Sequence, residues 1–123
     1  MLLIDAANVV GSRPTGWWRD RAQAAEQFIA RVRAATASST LSPPVVVVLE
    51  GVARRGVEEG VTDGVEVVHA SDHGDDALVA LAESASEPVI LVSADRALAR
   101  RCRAVDSDVT CVGPSWLLDQ LRP

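Results

Sequence analysis

Asp5 closes a short apolar run, Leu2-Leu3-Ile4, and the sequence suggests no helix directly after it. A carboxylate there lies beside the core, where a lone negative charge is costly unless it is paired or holds a cation. Asp72, Asp75 and Asp76 follow a second apolar segment, and Asp95 lies three residues past Val92 at the end of another. Carboxylates brought together repel, and without a cation some would stay protonated at neutral pH. A hard divalent ion removes that penalty, and carboxylate oxygens suit Mg²⁺ or Mn²⁺. Helix capping is a rival role for Asp95, and a first-turn role for Asp75 or Asp76, because Asp is favoured at helix starts. Histidine offers less. His69 and His73 are four apart but fall across a strand end and a loop, and no cluster has zinc spacing.

The acids need a scaffold, and the periodicity of the chain supplies one. Val45-Val46-Val47-Val48-Leu49 is a continuous β-branched run bounded by turn residues, the pattern of a strand buried on both faces. Strands are also expected over Leu2–Ile4, Val65–Ala70, Val89–Val92 and Val109–Val112. Between Arg19 and Ala37 the apolar residues Ala22, Ala25, Phe28, Ile29, Val32 and Ala35 recur three to four apart, which is an amphipathic helix. Further helices are expected from Gly74 to Ser84 (Leu78, Leu81, Ala82 inward), from Asp95 to Val105 (Leu98, Cys102, Val105 inward), and after Pro114 (Trp116, Leu117, Leu121 inward). Asn8–Trp18 reads as a loop, and the glycine-rich Gly51–Gly64 as irregular with room for a single helical turn. Strands alternating with helices predict a single α/β domain over residues 1–123, a three-layer sandwich on a parallel sheet of about five strands. In such a fold ligands bind beyond the carboxyl ends of the strands, and that is where Asp5, Asp75, Asp76 and Asp95 fall.

Composition excludes other chemistry. All twelve basic residues are arginine, so there is no lysine to form a Schiff base or to serve a phosphate loop. The net charge of −5 means that nucleic acid would have to be held by a local arginine patch or through a metal. The two cysteines, Cys102 and Cys111, fall on different elements and read as reduced core residues. The N-terminus lacks the basic region of a secretory leader, and no apolar stretch approaches the roughly 20 residues that span a bilayer. A cytoplasmic protein with no membrane partner is expected.

Three blocks together resemble a known family. Leu3-Ile4-Asp5-Ala6-Ala7-Asn8-Val9-Val10 is similar to the opening of NYN-type nuclease domains, Gly74-Asp75-Asp76-Ala77-Leu78-Val79 to their acidic helix start, and Val92-Ser93-Ala94-Asp95-Arg96 to their Ser-x-Asp strand end. The resemblance implies a PIN-like fold with strand order 3-2-1-4-5, whose reversal separates the strands bearing Asp5 and Asp95. It also implies a metal-dependent ribonuclease in which Asp5, Asp76 and Asp95 are metal ligands, Asp75 competes with Asp76, and Asn8 positions a metal-bound water or the phosphate. Some relatives carry another acid four residues after the last one. Here that position is Ala99, and Asp72, Asp106 or Asp108 is the nearest substitute.

The chemistry expected is phosphodiester hydrolysis, with Mg²⁺ or Mn²⁺ as cofactor and RNA, single-stranded first among its forms, as substrate. Arg13, Arg19 and Arg96 are the candidates to hold its phosphates. Trp17 and Trp18 could stack on a base, although one of them filling the core is the plainer role. Two other readings fit: an RNA-binding or scaffold module without catalysis, favoured by Ala99 and the acidic charge, and a nucleotide phosphohydrolase. A homodimer or a protein partner is compatible with each.

Overall fold

The computed structural model describes residues 1–122. Its centre is β2 (Val45–Leu49), buried along its whole length. Val45, Val47 and Leu49 join one apolar cluster while Val46 and Val48 join another, as the two-residue period of a strand requires. Around it the chain runs β1 (Leu2–Asp5), α1 (Ala6–Gly11), α2 (Arg21–Ala37), β2, β3 (Gly60–Thr62), β4 (Val65–His69), α3 (Gly74–Ser84), β5 (Ile90–Val92), α4 (Arg96–Val105), β6 (Thr110–Val112) and α5 (Pro114–Gln120). Short 3-10 turns lie at Trp17–Arg19 and Gly51–Gly56.

The six strands lie in the order β3-β4-β2-β1-β5-β6, all parallel except β3. Without β3, this is the expected order of five parallel strands. One face carries α1, α2 and α5, through Val9, Phe28, Ile29, Val32 and Leu117. The other carries α3 and α4, through Leu78, Ala82, Leu98 and Cys102. The three-layer architecture therefore agrees with the alternating pattern of the sequence. The strand order reverses between β1 and β5, so Asp5, the last residue of β1, and Asp95, three residues past β5, flank the crevice at the switch point.

Four local expectations fail. A helix does begin after Asp5. The six residues of α1 are short and rich in β-branched side chains, and they are held by the Asp5 cap and the burial of Ala6 and Val9. Gly51–Gly64 contains β3, an edge strand exposed along its length, joined to β4 through Asp63-Gly64. Both turn residues have positive φ (54° and 78°), the requirement of a type I′ hairpin. Trp116 and Val105, expected inward, are exposed, while Leu117 and Leu98 are fully buried as expected. Both cysteines are free as expected, with Cys102 buried in the α4 face and its thiol pushed up to about 11 by burial.

Candidate functional site

Asp5 is the last residue of β1 and the N-cap of α1. Its side chain accepts a hydrogen bond from the Asn8 backbone N–H at 3.3 Å through Oδ1 and one from the Ser93 hydroxyl at 3.0 Å through Oδ2. Ser93 Oγ in turn accepts from the Asp95 backbone N–H at 3.1 Å, and the Asn8 amide oxygen accepts from the Ala94 N–H at 2.8 Å. Asp5 and Asn8 on one side of the switch point are thus tied to Ser93, Ala94 and Asp95 on the other, 86 to 88 residues away in sequence. Asp95 caps α4 by accepting from the Leu98 N–H at 3.1 Å. Capping therefore accounts for one oxygen of Asp5 and one of Asp95.

Two further acids converge from neighbouring elements. Glu50 follows β2, and its Oε2 accepts from the Gly74 N–H at 3.0 Å, closing the amino end of α3. A side chain on Gly74 would meet the Glu50 carboxylate at 3.1 Å, so this residue must stay small for the contact to form. Asp75, in the first turn of α3, is half-buried. Its carboxyl is raised above the ordinary value, first by burial and then by the charges of Asp95 and Glu50, with Arg101 opposing. Asp5 is only 6% exposed. Burial pushes its carboxyl up to about 6, the Ser93 and Asn8 hydrogen bonds pull it down, and Asp75 and Glu50 add to the rise.

Asp5, Asn8, Asp75 and Asp95 are therefore brought to one place. Asp76 faces another way: it is exposed and paired with Arg101 at 2.7 Å. Asp72 is exposed, beside His73. Asp106 and Asp108 cannot replace the acid absent at Ala99, because they follow the carboxyl end of α4 while Asp95 precedes its start. The ten residues of α4 separate them from the site, about 15 Å of helix. Ala99 itself is buried against the core. Arg13, Arg19 and Arg96 are exposed, and Arg19 lies over the Trp18 ring at 5.8 Å. His69 is turned to the Val57 carbonyl at 2.7 Å, away from any ligand role.

The sequence reading did not single out Glu50 or give Ser93 a role. Glu50 was detectable by the rule that marked Asp5, an acid directly after a buried strand.

The donor set suits a hard divalent cation in kind: it offers carboxylate oxygens from Asp5, Glu50, Asp75 and Asp95, and the Asp5 carboxyl is raised to about 6, chiefly by burial. Among the described residues, however, no three His, Cys, Asp or Glu side chains stand close enough to share one ion.

No family model matches the chain, and no curated protein matches it in sequence. Solved structures do share its fold. Rae1 (YacP) from Bacillus subtilis superposes with a TM-score of 0.68 at 16% identity, over 98% of this chain and 72% of that one. The two share a three-layer α/β fold on a mostly parallel sheet. The W164L mutant of Rae1 gives a TM-score of 0.67 at 17% identity with the same coverage. At these identities the likeness extends to the arrangement of the backbone and no further.

Proposed function

We propose that the chain is a metal-dependent phosphodiester hydrolase that acts on RNA. The observation that carries this reading is the hydrogen-bonded junction of Asp5-Asn8 with Ser93-Asp95 at the switch point of the sheet, with Glu50 and Asp75 facing it. Asp5, Asp75 and Asp95, with Glu50 beside them, would hold Mg²⁺ or Mn²⁺. When bound, such an ion polarises a phosphoryl oxygen and lowers the pKa of a coordinated water. Asn8 spends its amide oxygen on Ala94, which leaves its NH₂ group as a donor to a phosphate. Ser93 orients Asp5 and touches no substrate.

Substrate phosphates need positive charge around an acidic centre. Arg96, Arg100 and Arg103 lie at i, i+4 and i+7 of α4, exposed and on one face. Like charges so spaced repel each other, and a phosphate backbone along the helix relieves that repulsion. The stripe starts next to Asp95, so a bound strand would lead into the acids.

The test is cleavage of a mixed-sequence single-stranded RNA by the purified protein with Mn²⁺ or Mg²⁺, beside Asp5→Asn. The expected result is cleavage that needs the metal and is lost in the variant. Cleavage that survives both chelation and Asp5→Asn would overturn the proposal. A second reading, an RNA-binding module without catalysis, draws on the open spacing of the acids. It requires RNA affinity without metal-dependent cleavage.

A further inference from the structure

A cavity of about 360 Å³ lies between α1, the start of α2, the end of β2 and the Gly51–Gly56 turn. Ala6, Val10, Ala25, Leu49 and Ala53 line it, and the Trp17 indole forms part of its wall. The Arg21 guanidinium lies 5.3 Å from the Trp17 ring centroid. Polar groups are few: Glu50, Arg21, Asp72 and His73. The volume falls in the range of small-molecule sites, about 300–1,000 Å³.

This cavity shares residues with the acidic site. Glu50 lines it and also closes the start of α3 beside Asp75. Ala6 and Ala7, which line it, are the two residues between Asp5 and Asn8. Small side chains at these positions keep the space next to the acids open.

We infer that this cavity binds a nucleobase of the RNA, that of a nucleotide adjoining the scissile phosphate. The inference rests on the proposed RNA hydrolase reading. A nucleobase has apolar faces and polar edges, which match an apolar cleft with an indole wall and hydrogen-bonding groups from Glu50, Asp72 and His73. A phosphate matches poorly, because two carboxylates and one guanidinium line the space. Aromatic stacking accepts every base to some degree, and selection among bases falls to the polar residues.

The experiment follows the three indole N–H signals of the full chain in ¹H–¹⁵N spectra, assigned with Trp17→Phe. The probes are adenosine, guanosine, cytidine and uridine, uncharged so that the acids do not repel them, with ribose as control. At least one nucleoside is expected to shift the Trp17 signal while those of Trp18 and Trp116 stay in place, and ribose to shift none. Ala53→Leu fills the cavity and Ala7→Leu, at an exposed position, narrows it. Each is expected to weaken the nucleoside at least tenfold, and Ala7→Leu serves if Ala53→Leu does not fold. An equal shift with ribose, no Trp17 shift with any nucleoside, or wild-type affinity in the folded variants would overturn the inference. A Mn²⁺ titration of the wild type separates the two proposals. Nucleoside binding without Mn²⁺ binding leaves the base pocket standing and removes the hydrolase; the reverse removes only the pocket.

Discussion

The Ser93 hydroxyl donates to Asp5 Oδ2 at 3.0 Å while accepting from the Asp95 backbone N–H at 3.1 Å, so one side chain joins the Asp5 carboxylate to the backbone at Asp95 across the switch point. Ser93 is 6% exposed, so water cannot readily replace it. In Ser93→Ala the Asp5 carboxyl loses its main stabilising donor, and its pKa should move further up from about 6. The lost bond involves a charged group, and the fold should lose about 1–3 kcal/mol. Carboxyl ¹³C titration and urea unfolding read the two effects.

The raised Asp5 carboxyl makes stability depend on pH in a defined direction. The folded protein holds this proton more tightly than the unfolded chain, whose ordinary value is 3.8. The stabilisation is therefore full below about pH 4 and is lost as the pH rises through about 6. The displacement corresponds to on the order of 3 kcal/mol. Unfolding in urea with a chelator present should show the metal-free protein weakening over this window. Asp5→Asn, which cannot ionise, should lack that component and be at least as stable as wild type at pH 8.

Asp75 and Asp76 should separate in their effects. Asp75 faces Asp95 and Glu50, whereas Asp76 is paired with Arg101 at the surface. Asp75→Asn should weaken Mn²⁺ at least tenfold, and Asp76→Asn should leave it within about twofold of wild type, a loss and a near-neutral change of about 1.4 and 0.4 kcal/mol. Equal losses in calorimetry would place both acids at the ion.

The arginine stripe on α4 should govern salt dependence. Replacing Arg96, Arg100 and Arg103 with Gln should reduce the slope of log affinity against log salt for single-stranded RNA by about 2, since each phosphate contact contributes roughly 0.7. Fluorescence anisotropy across a salt series measures it. An unchanged slope would remove α4 from the interface.

Much of this arrangement could be read from residue types, and the remainder has physical causes. Asp5 and Asp95 were legible because each follows an apolar strand, and parallel topology follows from β2 being apolar on both faces. The choice between Asp75 and Asp76 was not legible. Neighbouring helix positions differ by about 100° in direction, and the phase of α3 is set by how Leu78 and Ala82 pack. The helix α1 was hidden because Asn8, Val9, Val10 and Gly11 have weak helix preference and the short segment is stabilised by the cap and by burial. The β3–β4 hairpin was marked by Asp63-Gly64, but Gly60-Val61-Thr62 is too short and exposed to show a strand period.

The central claim is that the strand-end acids form one divalent-cation site. Calorimetric titration of the metal-stripped protein with Mn²⁺, beside folded Asp5→Asn and Asp95→Asn variants, tests it most directly. Wild type should bind Mn²⁺, and both variants should lose that binding. Absence of binding to the wild type at millimolar Mn²⁺, or full binding to both variants, would contradict this claim and leave Asp5 and Asp95 as helix caps on an α/β sandwich.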